Sequence, residues 1–128
     1  MKTVRTILTF SFCFLLSGHS LALDFDKLYK DWGGSPSANS QLVGQELWSK
    51  ELIPGKSCTT CHTSDIKKSG KHTKTKKTIK PLSPLVNKKS LTSVRKINKW
   101  LKRNCKFTYD RECSVDEKIS FIEYIRNN

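Results

Sequence analysis

Ser57-Cys58-Thr59-Thr60-Cys61-His62 is the stretch whose reading decides the fold. Two cysteines two residues apart, with a histidine directly after the second, form the C-x-x-C-H pattern of covalent c-type haem attachment. The spacing has a chemical reason. Cys58 and Cys61 reach the two vinyl groups of one porphyrin as thioethers, and the next residue then lies under the iron. There His62 supplies an imidazole nitrogen as proximal ligand. A zinc half-site, a redox C-x-x-C and a chance match are the competing uses of the same residues. The rest of the chain has to choose between them, and has to provide whatever meets the other face of the iron.

The chain has 128 residues, enough for one domain. Residues 1–22 read as a secretory signal, with Lys2 and Arg5, an apolar run from Ile7 to Leu16, and Ser20-Leu21-Ala22 as a small-residue cleavage site. That run is too short to span a bilayer, and no later stretch approaches ~18 uninterrupted apolar residues. The expected mature domain is 23–128, exported to the periplasm of a bacterium. Cys13 leaves with the signal, so Cys58, Cys61, Cys105 and Cys113 remain. Two belong to the haem motif, which leaves Cys105 and Cys113 free to bond with each other in an oxidising compartment. They are eight apart rather than in C-x-x-C spacing, which disfavours zinc. A thioredoxin-like redox motif would want a βαβ pattern around it, and none is visible.

Net charge is +13, or +11 without Lys2 and Arg5. In a cytoplasmic protein this balance would suggest nucleic acid. For an exported one no nucleic-acid partner is expected. The partners expected instead are an acidic redox protein or an anionic membrane surface, reached by electrostatic steering.

Taken in order, Phe25, Leu28, Tyr29 and Trp32 fall at i, i+3, i+4 and i+7 and predict a short amphipathic helix stopped by Gly33-Gly34-Ser35-Pro36. A second helix is expected from about Ala38 to Leu52, with Leu42, Val43, Leu47 and Trp48 as its apolar positions. Gly44 has two readings: a close helix crossing, or an incidental glycine costing ~1 kcal/mol. After His62, seven lysines between Lys67 and Lys80 lack any apolar period and predict an exposed loop, with docking as its candidate role. Pro81-Leu82-Ser83-Pro84-Leu85 is a candidate to wrap the haem edge and orient the His62 ring through a backbone carbonyl. Ser90 or Thr92 caps a third helix, whose stripe of Val94, Ile97, Trp100 and Leu101 runs on to Asn104. A Cys105–Cys113 bond would close a loop of about nine residues, worth about 2.5–3 kcal/mol in the chain-entropy picture. Ser114 and Glu117 then form a capping box for a last helix carrying Ile119, Ile122 and Ile125. The expected fold class is all-α.

The distal face of the iron is settled only in part by counting. Met1 is the one methionine and leaves with the signal, so methionine ligation is excluded in the mature protein. His72, a lysine, Asn104 or no protein ligand remain. His72 sits in the lysine loop, where an exposed histidine is the plainer reading. A lysine would have to be buried and lose its proton, which is costly. Asn104 follows the inner stripe of its helix, and its plainer role is a helix C-cap.

From Ser57-Cys-Thr-Thr-Cys-His62, through Lys99-Trp100-Leu101-Lys102-Arg103-Asn104-Cys105, to Asp110-Arg111-Glu112-Cys113, the chain resembles the sphaeroides haem proteins. These are the monohaem, high-spin, asparagine-ligated branch of class I cytochromes c. The resemblance implies a class I cytochrome c fold around one covalent haem c, with Cys58 and Cys61 as attachment points and His62 as proximal ligand. It implies Asn104 as sixth ligand of the oxidised iron and a Cys105–Cys113 disulfide beside it. It further implies binding of O₂, NO or CO after reduction and a dihaem cytochrome c as electron donor. Turnover, if the site has any, would be O₂ reduction or NO oxidation. The alternative is a plain electron-transfer cytochrome closed by His72 or a lysine.

Overall fold

Asp24 opens the first helix by accepting the Lys27 N–H on its carboxylate, and α1 runs Phe25–Asp31. The computed structural model describes residues 22–128; the signal-like segment lies outside the described residues up to residue 21. Leu28 and Tyr29 face inward from α1 and pack with Ile97, Ile119 and Ile122. The Tyr29 hydroxyl donates to Glu123 at 2.7 Å, and Trp32 Nε1 donates to Asn98 at 3.0 Å. These contacts pin α1 across the two long helices that follow.

Helix α2 is Ser40–Ser49, shorter at both ends than the spacing predicts. Its buried face is not the expected one. Ser40, Gly44 and Trp48, spaced by four, point inward, while Leu42 and Val43 are 61% and 40% exposed. The reason lies at Gly44, where a Cβ would come within 2.0 Å of the Ser120 carbonyl oxygen and 2.8 Å of Tyr124 Cβ. The partner helix α5, Val115–Arg126, presses its backbone against α2 there. Small residues set this face because they allow that approach, and the larger aliphatic pair is turned out. Trp48 then packs on Tyr124 with ring centres 5.7 Å apart.

The motif forms the short helix α3, Thr59–His62. The lysine-rich segment, expected to be an irregular loop, contains an antiparallel hairpin of β1, Gly70–Lys71, and β2, Thr78–Ile79, with Gly70 opposite Ile79. Two-residue strands are too short to show alternation, which is why the spacing missed them. Helix α4 is Val94–Tyr109, capped by Ser93 rather than Ser90 or Thr92. Ser90 donates its hydroxyl to the Leu82 carbonyl instead. The capping box of α5 is present as expected, with Ser114 accepting from the Glu117 N–H and Glu117 accepting from the Ser114 N–H at 2.8 Å. Among the described residues no helix is long and apolar enough to cross a membrane.

Candidate haem site

Ser57 prepares the turn on which the motif stands. Its backbone N–H donates to Thr60 Oγ1 at 3.0 Å, and its buried hydroxyl lies 2.7 Å from Thr59 Oγ1. The Cys61 and His62 N–H groups both donate to the Cys58 carbonyl, at 3.3 and 3.0 Å, so both cysteines and the histidine leave one tight helical turn. Thr63 ends that turn with φ 65° and ψ 172°, a conformation that costs a β-branched residue of order 1–3 kcal/mol. Trp48 holds it in place: its Nε1–H donates to the Thr63 carbonyl at 2.9 Å, and its ring centre lies 5.6 Å from that of His62.

Burial lowers the His62 pKa below the ordinary imidazole value, which favours the neutral ring an iron ligand requires. Burial likewise pushes the Cys58 thiol up to about 12. A disulfide-exchange cysteine is activated in the opposite direction, so this environment opposes a redox use of the pair. Cys58 and Cys61 are not joined to each other. Among the described residues no group of three or more His, Cys, Asp and Glu side chains converges as a metal cluster.

Two features of the motif's support were not legible as single residues. Gly70 of β1 lies against the motif backbone: a Cβ there would stand 2.0 Å from the Cys61 carbonyl oxygen and 2.9 Å from His62 Cα. Thr73 brings its hydroxyl within 3.9 Å of Cys61 Sγ. A lone glycine in a lysine-rich run was the one available hint. The Pro81–Leu85 segment does not orient His62 as expected. The Pro81 carbonyl accepts from Asn87 Nδ2 at 2.7 Å and the Leu82 carbonyl from Ser90, while the buried Ser83 hydroxyl donates to the Asn128 carbonyl. The segment is tied down by these bonds and by Leu82, which packs against the core cluster that contains Trp48, Ile66, Cys105 and Tyr109.

Asn104 sits inside α4, five residues before its end, and is not the C-cap; Asp110 takes that position in the left-handed conformation, φ 54°. The inward line of α4 runs through Ile97, the half-buried Leu101 and Cys105, in steps of four, to Thr108 and Tyr109. Asn104 lies on the adjoining face, one turn from Trp100 and one from Phe107, which are 52% and 38% exposed. That face meets the chain just before the motif, because Lys56 Nζ stands 5.4 Å from the Phe107 ring centre. The backbone at Asn104 is fixed on both sides. Its carbonyl accepts from the buried Thr108 hydroxyl at 2.8 Å, and Cys105 is bonded to Cys113 with Cα atoms 5.5 Å apart. The disulfide therefore does not close an open loop; it ties the last turns of α4 to the start of α5.

His72 stands at the hairpin turn, where its Nδ1 accepts from the N–H groups of Lys74 and Thr75 at 3.3 and 3.2 Å. This explains the residue without the iron. These donors suit a covalent haem: two unpaired cysteines, a buried imidazole clamped by an indole, and an exposed carboxamide one turn from each of two aromatic rings on α4.

A family profile described as a domain of unknown function (DUF1924) matches residues 35–125. Cytochrome c-type protein SHP of Cereibacter sphaeroides is 32% identical over 120 residues, covering 87% of this chain and 91% of that protein. Cytochrome c'' of Methylophilus methylotrophus is 31% identical over 135 residues, covering 95% of this chain and 93% of that one. The structure of oxidised SHP, described as an oxygen-binding cytochrome c, aligns with a TM-score of 0.72 at 28% identity, over 84% of this chain and 99% of that chain.

Proposed function

This chain belongs to the family of cytochrome c-type protein SHP and is a monohaem cytochrome c with covalently attached haem c; from that premise we propose that it accepts electrons in the periplasm and binds small diatomic molecules once reduced. Cys58 and Cys61 carry the thioethers, His62 is the proximal ligand, and Asn104 is the distal ligand of the oxidised state. The bound haem supplies an iron that takes up one electron and holds O₂, NO or CO. The observation that carries the reading is the placement of Asn104, an exposed carboxamide between Trp100 and Phe107 on a helix anchored by the neighbouring disulfide.

The amide oxygen of Asn104 is a hard, weak donor that suits ferric iron and suits the softer ferrous iron poorly. Reduction of a bound haem would therefore favour release of the side chain, while Cys105, Thr108 and the α4 backbone would keep Asn104 close. Its freed N–H group is then placed to donate a hydrogen bond to the bound molecule. His62, neutral and held by Trp48, keeps the iron attached throughout. The electron donor proposed from the resemblance is a dihaem cytochrome c or another acidic redox protein, with an anionic membrane surface as the alternative contact. Export rests on the signal-like segment 1–22.

The experiment is a paired substitution in the holoprotein. Asn104→Ala should change the oxidised absorption spectrum and speed ligand entry, and His72→Ala should leave both unchanged. The reverse result would assign the distal position to His72 and a closed electron shuttle.

A further inference from the structure

The charge of this chain is segregated along its length. Residues 63–109 hold fifteen of the 24 lysines and arginines and, in Asp65, one of the eleven carboxylates. Asp65 is engaged locally, its Oδ1 accepting from the Lys67 N–H at 2.9 Å and its Oδ2 3.7 Å from Lys68 Nζ. The seven lysines from Lys67 to Lys80 are all exposed. They stand on or beside a held hairpin: the His72 N–H donates to the Lys77 carbonyl and the Lys76 N–H to the His72 carbonyl, each at 2.9 Å, and the His72 ring ties the turn.

The hairpin is also seated on the haem motif. Gly70 meets the Cys61 carbonyl and His62 Cα without room for a methyl group, and Thr73 lies at Cys61 Sγ. A second basic face exists on α4, where Lys99 and Arg103 lie over the Trp100 ring at 5.9 and 5.7 Å; the backbone seat on Cys61 and His62 belongs to the hairpin. We propose that the lysine hairpin, residues 67–80, is the docking surface for an acidic electron-donor protein, so that electrons enter beside Cys61. The inference rests on the reading above that another protein reduces this haem. The transfer is of one electron: the donor protein is oxidised, the ferric haem becomes ferrous, and docking itself forms and breaks no covalent bond.

The test uses oxidised holoprotein and reduced flavodoxin, an acidic one-electron donor, as probe. Charge reversal at Lys71→Glu, Lys74→Glu, Lys77→Glu and Lys80→Glu spares Lys76, whose left-handed φ of 59° shapes the turn. At low salt the rate of reduction should fall by about tenfold to a hundredfold and lose its salt dependence. Reduction by photogenerated lumiflavin semiquinone, small and neutral, should not change. A lysine-to-glutamine set at the same positions should fall between, which guards against misfolding of the reversed variant. Amide shifts of ¹⁵N-labelled protein on adding oxidised flavodoxin should centre on residues 67–80. The proposal is overturned if rate loss and shifts follow Lys96→Glu and Lys99→Glu instead. It is equally overturned if the hairpin set abolishes binding to anionic phospholipid vesicles while leaving reduction of the haem by flavodoxin intact. CO binding after dithionite reduction reports separately on the distal site, so failure of the docking surface and failure of the gas-binding reading are distinguishable.

Discussion

Gly44→Ala sets two physical effects of opposite sign against each other. Alanine is the better helix former by about 0.8–1.0 kcal/mol, so at an exposed position in α2 the change would stabilise the protein. At Gly44 the new Cβ would lie 2.0 Å from the Ser120 carbonyl oxygen, whereas ordinary contact begins near 3.4 Å. The difference, about 1.4 Å, must come from parting α2 and α5, because the obstacle is helix backbone and has no rotamer to change. Overpacking of this kind costs typically 1–3 kcal/mol, and a backbone obstacle places the cost at the upper end. Subtracting the propensity gain leaves a loss of about 2 kcal/mol, or about 8–16 °C in Tm for a domain of this size. Trp48 and Tyr124 are on the same interface, so the haem absorption of the variant should change before global unfolding. The assay is thermal unfolding of the holoprotein, followed by far-ultraviolet circular dichroism and haem absorbance together. Gln45→Ala, exposed on the same helix, should stay within about 0.5 kcal/mol of wild type. A Gly44→Ala protein as stable as wild type, or more so, would refute the crossing argument.

Gly70→Ala should also destabilise, and through a different contact. Its added methyl meets the Cys61 carbonyl at 2.0 Å, so the hairpin must lift from the motif and the haem spectrum should shift with the loss of Tm. Removing the disulfide with Cys105→Ala and Cys113→Ala should cost about 2.5–3 kcal/mol, measured by urea unfolding. It should also broaden the oxidised-state spectrum as Asn104 loses its anchor. At low pH, Glu117 should be a source of lost stability. Arg111 holds its carboxyl below the usual value with two bonds of 2.7 Å, so its contribution is full above the unfolded value of 4.5 and disappears as pH falls through the lower folded value. Urea unfolding of Glu117→Gln at pH 3 and pH 7 should show a smaller acid-induced loss than wild type.

The parts of this fold that were legible in sequence are those where one residue has one dominant reason to be there. Ser114 and Glu117 at the start of α5, the isoleucines after them, and Cys-x-x-Cys-His are of that kind. Gly44 was ambiguous because a glycine makes room for something else in the chain, and only the fold brings Ser120 to it. The same ignorance put Leu42 and Val43 inside α2. Asn104 was assigned to the buried line of α4 because Trp100 looked like core. In the folded chain Lys99 and Arg103 cover part of the Trp100 ring while leaving it half exposed, and Leu101 and Cys105 take the inner positions. The hairpin was hidden because its strands are held by backbone bonds and by Gly70, neither of which leaves an alternating pattern. His72, read as an exposed loop residue, instead ties the hairpin turn through its Nδ1.

In the proposed function the haem face opposite His62 closes with Asn104 when oxidised and opens when reduced. The most direct measurement is CO and NO binding to the reduced holoprotein, recorded beside the spectrum of the oxidised form. A high-spin oxidised spectrum and a prompt Soret shift when CO or NO meets the ferrous protein are the expected result. A reduced protein that remains tightly six-coordinate, with no shift on adding CO, would contradict it.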